Sequence, residues 1–187
     1  MDATHFVHHP RTEMIRLELK KLGEVTAVRS AVYFPFKDRT NIRFNRELEP
    51  MGGLGDLGWY NIRAAVEFLG EDLEPQKVAA VFERDPETQS IVKSTGFLTF
   101  PGGRTASWEF GYTSEAVAMD LDIVATRGIV SLDDFLLDWA NSFVFQNSEL
   151  TASFQIRQGL TPRPLSEKVE VPNEIPAQVR MIDEFAV

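Results

Sequence analysis

The apolar positions of this chain change period several times along its length. From Pro10 onward Met14, Ile15, Leu17, Leu19 and Leu22 gather mostly on one side of a helix, with the proline near its first turn and Gly23 at its end. The stretch before it, "ATHFVHH", is aromatic and β-branched, which predicts a short strand stopped by Pro10. "EVTAVRSAVYFPF", residues 24–36, alternates but carries apolar groups on both parities, and predicts a long strand partly covered on both faces. A polar loop, "KDRTNIRFNRELEP", leads to a second helix that ends near Gly70. The middle of the chain is rich in strands: "KVAAVFER", "SIVKSTGFLTF", "RTASWEFGYT", "AVAMDLDIVAT" and "GIVSL". "FPGGR" between two alternating runs is a hairpin signal, and "TRG" makes a second tight turn. Further on, "LDDFLLDWANSFVFQNSEL" suits either a short helix or a loop with aromatic anchors, "TASFQIRQG" suits a strand, and "VPNEIPAQVRMIDEFAV" suits a helix beginning behind Pro176. There is no internal repeat. The pattern predicts an α+β fold: one largely antiparallel open sheet with two or three helices packed on one face.

Composition narrows the function classes. The 187 residues are 43% hydrophobic and 25% charged, enough for one substantial core, so residues 1–187 are expected to form a single domain. A net charge of -9 argues against nucleic acid and anionic membranes as partners. The chain has no cysteine, which removes thiolate chemistry and Cys-based zinc sites and suits a reducing compartment. Its apolar runs are too short to span a bilayer, and "MDATHFVHHPRTEM" lacks the features of a signal peptide, so the cytoplasm is the expected location.

One motif raises a specific question. Gly53-Leu-Gly55-Asp-Leu-Gly58 matches the G-x-G-x-x-G of a dinucleotide-binding turn. That turn needs a strand before it and a βαβ series around it, with an acidic residue ~20 positions on. Here "NRELEPM" precedes it, polar and containing Pro50, and hairpins follow. As a helix at about 100° per residue, the segment puts Leu54, Leu57, Ile62, Ala65, Phe68 and Leu69 on one side. Asp56, Tyr60, Arg63 and Glu67 form a stripe on the other. An ordinary solvated helix face explains the stripe, but not the glycines, each of which costs about 1 kcal/mol relative to Ala in a helix. Their number predicts that something approaches this backbone closely.

"NIRFNRELEPMGGLGDLGWYNIRAAVEFLG" resembles the segment after the nucleotide-binding domain in oxidoreductases of the Gfo/Idh/MocA type, where a Gly-rich helix start is followed by Asp-x-x-x-Tyr or Asp-x-x-x-His. "THFVHHPR", "GFLTFPGGRTASWEFGY" and "LDIVATRGIVSL" are similar to further elements of that family in the same order, over most of residues 3–131. The resemblance implies a sugar or related hydroxyl or carbonyl compound as substrate and NAD or NADP as cofactor. It implies Tyr60 as the proton donor or acceptor at the substrate oxygen and Asp56 as the adjacent carboxylate. Arg43, His9 and Arg63 are the substrate-binding candidates. The family's Glu-Lys-Pro motif, whose lysine would favour the phenolate of a tyrosine with a pKa of ~10, does not occur. The family's Rossmann domain is not among these 187 residues, so the main cofactor site is expected outside this chain, with a separate Rossmann-domain chain as a candidate partner. Both ends of the sequence look short against the family. The expected function is the substrate-binding and catalytic half of an NAD(P)-dependent oxidoreductase, inactive alone. The alternatives are a sheet-mediated dimerisation module or a small-ligand-binding module.

His5, His8 and His9 suggest a metal by composition. Adjacent His8 and His9 on a strand would point to opposite faces, so no metal site is expected. Trp108, Phe110 and Tyr112 share one strand parity, which suits core or subunit packing better than a sugar platform, and a homo-oligomer through the sheet face is the expected assembly.

Overall fold

Glycine, proline and alternation signals set most element boundaries in the computed structural model, which describes residues 3–186. Met1, Asp2 and Val187, at the ends of the N-terminal stretch and the last predicted helix, lie outside them. In chain order the elements are α1 (Pro10–Leu22), β1 (Val25–Tyr33), α2 (Trp59–Leu69), β2 (Lys77–Arg84), β3 (Ile91–Thr99), β4 (Thr105–Gly111), β5 (Ala118–Ala125), β6 (Gly128–Leu132), β7 (Ser153–Arg157), β8 (Glu167–Glu170) and α3 (Ala177–Phe185). The fold is α+β, with open, largely antiparallel sheet structure. No helix among the described residues is long and apolar enough to cross a membrane. The chain divides into two compact units, one from Ala27 to Asp120 and the other from the segments on either side.

In the Ala27–Asp120 unit the strands run in the order β2-β3-β4-β1. β3 is antiparallel to both neighbours, whereas β1 is parallel to β4. Register puts Val28, Ser30 and Val32 opposite Ala106, Trp108 and Phe110 on one face, with Ser94 and Gly96 of β3 beside them. That face is core: Val32 and Phe110 are fully buried, and the Trp108 indole occupies the space a side chain at position 96 would need. The indole N–H donates to Ser94 Oγ at 3.3 Å. α2 lies on this face, anchored by the Asn61 side-chain amide donating to Ser30 Oγ at 2.8 Å. The opposite parity carries Ala31, Tyr33, Thr95, Phe97, Ser107 and Glu109.

The glycine-rich stretch is a π-helical turn, Leu54–Gly58, running directly into α2. No strand leads into it; the preceding chain is a 3₁₀ turn at Ile42–Phe44 followed by further turns. Gly52 has φ of 50°, and a Cβ there would lie 2.8 Å from the Ile91 carbonyl oxygen. A Cβ on Gly58 would lie 2.8 Å from the Phe110 ring. The close approach is to the protein's own sheet, which leaves these glycines turned to β3 and β4 and unavailable to cradle a pyrophosphate.

In the other unit "ATHFVHH" is not the expected strand. Residues His5–His8 form a 3₁₀ turn. Thr4, His5 and Phe6 are buried consecutively, which the alternation of a strand does not allow. Phe6 packs edge-on against Phe135 at 5.4 Å, and its carbonyl accepts from Thr12 Oγ1 at 2.8 Å. His9 then caps α1: its Nδ1 accepts from the Arg11 backbone N–H at 3.0 Å, with Pro10 at the first helical position. Ile15, Leu19 and Leu22 are the buried stripe of α1, and Leu121, Ile123, Val130 and Phe154 are buried in strands running in the order β5-β6-β7-β8, all antiparallel. Residues 133–150 take the second of the two predicted forms, an irregular segment with aromatic anchors, among them Trp139 and Phe145 with centroids 4.5 Å apart. Asp134 and Asp138 accept the backbone N–H groups of Trp139 and Ala140 at 3.2 and 2.8 Å, local bonds that compete with a helix.

Candidate active site

Asp56 stands on the π-helical turn, one turn ahead of Tyr60 in α2, and its carboxylate is held from two sides. Arg43, on the 3₁₀ turn at Ile42–Phe44, donates from Nη2 to Oδ1 at 2.8 Å, and its Nε lies 2.6 Å from Oδ2 in the same ion pair. Tyr112, just beyond β4, donates its hydroxyl to Oδ2 at 2.9 Å. Both donors keep their protons. The bond to Asp56 raises the guanidinium pKa above its usual range despite desolvation. Burial, reinforced by the Asp56 charge and hydrogen bond, pushes the Tyr112 phenol far above its usual value. Engaged by both donors, the Asp56 carboxylate ties the 3₁₀ turn and the end of β4 to the start of α2.

Aromatic packing fixes the donors in turn. Tyr112 lies 5.7 Å from Phe36 and 5.9 Å from Phe44, and the Arg43 guanidinium sits 5.3 Å over the Phe36 ring. Phe36 is held to the end of β4 by its N–H donating to the Tyr112 carbonyl at 3.2 Å. A cleft of about 410 Å³ opens on the same cluster, with Phe36, Arg39, Phe44, Asp85 and Tyr112 among its walls. Two ion pairs stand in its wall, Lys37 with Glu115 at 2.9 Å and Arg39 with Asp85 at 2.8 Å. The Thr88 backbone N–H, together with Arg39, holds Asp85 at about 2.

The candidates from the sequence fall into two groups. Arg43 and Asp56 are brought into direct contact, and half-buried Tyr60 follows on the first turn of α2. Arg63 is engaged along its own helix by Glu67 at 3.0 Å. His9 belongs to the other unit, buried as the cap of α1, with Nε2 3.1 Å from Asp138 Oδ2. Because Nδ1 accepts from Arg11, the neutral ring carries its proton on Nε2 and donates it to Asp138. Burial lowers the His9 pKa against the pull of Asp138. Burial would raise Asp138, but the His9 bond and the Ala140 N–H outweigh it and hold that carboxyl at about 2. Arg11 binds Asp134 beside them at 2.6 Å. The three histidines have separate partners: His5 with Gln178, His8 with Glu184, His9 with Asp138. Tyr112 is the residue that sequence reasoning missed as a site group. The signal available was that a buried tyrosine needs an acceptor for its hydroxyl.

Residues 16–131 match the GFO/IDH/MocA C-terminal domain. The chain is 34% identical over 113 residues to a dTDP-3,4-didehydro-2,6-dideoxy-alpha-D-glucose 3-reductase from Actinomadura kijaniata, covering 59% of this chain and 33% of the relative. It is 31% identical over 129 residues to an enzyme of the same name from Streptomyces antibioticus, covering 69% of this chain and 38% of that one. Among solved structures it superposes on a 3-ketoreductase from Actinomadura kijaniata in complex with NADP and TDP-benzene, with a TM-score of 0.79, 24% identity, and 100% of this chain against 53% of that one. A UDP-N-acetylglucosamine 3-dehydrogenase from Acidithiobacillus ferrooxidans superposes with a TM-score of 0.68 and 19% identity, over 97% of this chain and 49% of that one. The chain thus spans about a third of the length of these curated relatives and about half of these solved ones. The matched domain accounts for more than half of its residues, and the chain belongs to the Gfo/Idh/MocA family of oxidoreductases, as its C-terminal domain.

Proposed function

We propose that this chain is the substrate side of an NAD(P)-dependent oxidoreductase whose substrate is a nucleotide-linked keto or hydroxy sugar. The observation that carries the reading is the Asp56 carboxylate clamped by Arg43 and Tyr112 on the turn that leads into Tyr60. The sugar class follows from the two 3-reductase relatives. In this reading Tyr60 moves the proton at the substrate oxygen, and Asp56 with its two donors fixes the substrate's orientation. The glycine-rich turn does not suit a dinucleotide, because Gly52, Gly53 and Gly58 pack against Ile91 or Phe110 and Gly55 faces the Glu49 carboxylate. The cofactor therefore binds mainly to a nucleotide-binding domain outside the described residues, and the chain has no turnover without it. With no cysteine to oxidise, the chain suits a reducing compartment, and we place it in the cytoplasm.

The test is to supply a family nucleotide-binding domain, as a fusion or a co-expressed chain, and follow NADPH oxidation with a dTDP-linked 3-keto sugar. Tyr60→Phe is expected to lower kcat by roughly 10²-fold or more with little change in KM. Equal turnover by the variant, or none by the complemented wild type, would discard the reading. A second role, sheet-face association of two copies, is favoured by exposed Phe97 on the uncovered parity of the Ala27–Asp120 unit. Loss of that association in Phe97→Ser, read by light scattering, is its test.

A further inference from the structure

β2 is the outer strand of its unit's sheet, and every residue from Lys77 to Arg84 is exposed. Edge strands are commonly guarded by charges, prolines or bulges. Here the guards stand only at the ends: Lys77 before, Glu83 and Arg84 after, with the one irregularity in register between those two. Between them runs an uncharged segment, Val78 to Phe82, in which Val78 is 67%, Val81 76% and Phe82 45% exposed.

The strand's sequence is complementary to itself. When two copies of a strand pair antiparallel about a two-fold axis, residues directly opposite each other point to the same face, so they share parity and the axis passes through a residue. Three centres keep most of β2 paired. About Ala79, Lys77 meets Val81, and Phe82 and Glu83 fall outside the short paired region. About Val81, Val78 meets Arg84 and Ala79 meets Glu83. About Ala80, Lys77 meets Glu83 at both ends, Val78 meets Phe82 and Ala79 meets Val81. Of these, only the Ala80 centre sets opposite charges against each other and apolar groups against apolar groups throughout. Lys93 lies opposite Glu83 within the chain, so the carboxylate would stand between two cations.

We propose that β2 is a self-association edge, at which two copies of this chain join antiparallel about Ala80 into a sheet continuous across both. The occupant is a second copy because the charge and apolar pattern of the strand matches its own reverse. This surface is independent of the proposed activity and of the open sheet face, since the contact is made by strand edges.

The chain has no cysteine, so single cysteines report the register cleanly. Across the axis the two Cβ atoms of Ala80→Cys would lie ~5 Å apart, close enough to form a disulfide with slight adjustment, whereas those of Ala79→Cys or Val81→Cys would be diagonal neighbours ~7–8 Å apart. Under mild oxidation Ala80→Cys is expected to form covalent dimer at least about tenfold faster than either neighbour. Glu83→Lys is expected to weaken the non-covalent dimer about tenfold, and Lys77→Glu combined with Glu83→Lys to restore it. All these positions are exposed, so unfolding midpoints of the cysteine variants should match the parent within error, and Glu83→Lys, which faces Lys93 across β2–β3, should cost no more than about 1 kcal/mol. A parent chain monomeric by light scattering at ~100 µM overturns the proposal. So does a dimer that Ala80→Cys fails to link and Glu83→Lys leaves intact.

Discussion

Asp56 accepts from two donors of different kinds, and each can be removed alone. Tyr112→Phe keeps the ring between Phe36 and Phe44 and deletes only the hydroxyl that donates to Oδ2, while the Arg43 pair stays. Because the lost bond ends on a charged group and the phenol is buried, the variant should lose about 1.5 kcal/mol of stability, read as a shift in urea midpoint at unchanged m-value. No shift would mean that the hydroxyl is not bonded in solution. Part of this cluster was legible in the sequence. Asp56 and Tyr60 stand at helical spacing, and the family resemblance drew attention to Arg43. What was hidden is the contact: Arg43 is 13 residues from Asp56 and Tyr112 is 56, each on a different element, and no periodicity records such pairs. His9, which the family resemblance offered as a substrate contact, and Arg63, the other candidate, have Asp138 and Glu67 as partners within the chain.

At the scale of elements, the 3₁₀ turn at His5–His8 meets α3 through two histidines, and the chemistry of His5 makes that junction sensitive to acid. Gln178 donates its amide to His5 Nδ1 at 3.2 Å, and the Phe143 ring stands edge-on at 6.1 Å. Burial, with a smaller push from His8, lowers the His5 pKa to about 4, so the folded chain keeps this ring neutral. The unfolded chain takes up a proton near pH 6.5, so between there and about 4 the unfolded state binds more protons and stability falls as the pH falls. From pH 6.5 to 5 the loss from His5 alone should be roughly 2 kcal/mol, and His9, also lowered by burial, adds with the same sign. Asp138 acts in a lower window: its contribution is complete above its unfolded value of 3.8 and is lost as the pH falls towards about 2. Urea unfolding at pH 7, 6 and 5 should show the decline, and His5→Gln should flatten it; a parent with no slope above pH 5 would contradict it. This turn is also where sequence reading of the fold failed. Aromatic and β-branched residues marked a strand, but consecutive burial of Thr4, His5 and Phe6 under the 133–150 segment and α1 needs a turn. β8 was missed for a different reason: three of the four residues Glu167–Glu170 are charged and exposed, with Val169 the one apolar position, and hydrogen bonds to β7 rather than apolar periodicity make it a strand. β3, β4 and β5 were legible because one parity is buried in each.

For the whole molecule, the parity of the Ala27–Asp120 sheet decides which aromatic residues can report assembly. Period 2 grouped Trp108, Phe110 and Tyr112 correctly, but it cannot say which face is covered, and sheet-face association on that set is corrected by their burial beneath α2 and the π-helical turn. The uncovered parity is flatter, with Ala31, Thr95 and Ser107 beside Phe97, which is 47% exposed and pairs across to Ala79 and Ser107. The small residues around Phe97 allow a second sheet to approach its ring, which supplies apolar area to be gained. Phe97→Ser and Trp108→Ser should therefore behave in opposite ways. Phe97→Ser should leave the unfolding midpoint nearly unchanged, within about 0.5 kcal/mol, and reduce face-to-face association in light scattering. Trp108→Ser empties the space over Gly96, removes the bond to Ser94 and should cost about 3–5 kcal/mol of stability, so that it reads out unfolding before association. A Trp108→Ser chain that stays folded as a monomer, with Phe97→Ser unfolding instead, would show that the covered and open faces have been exchanged.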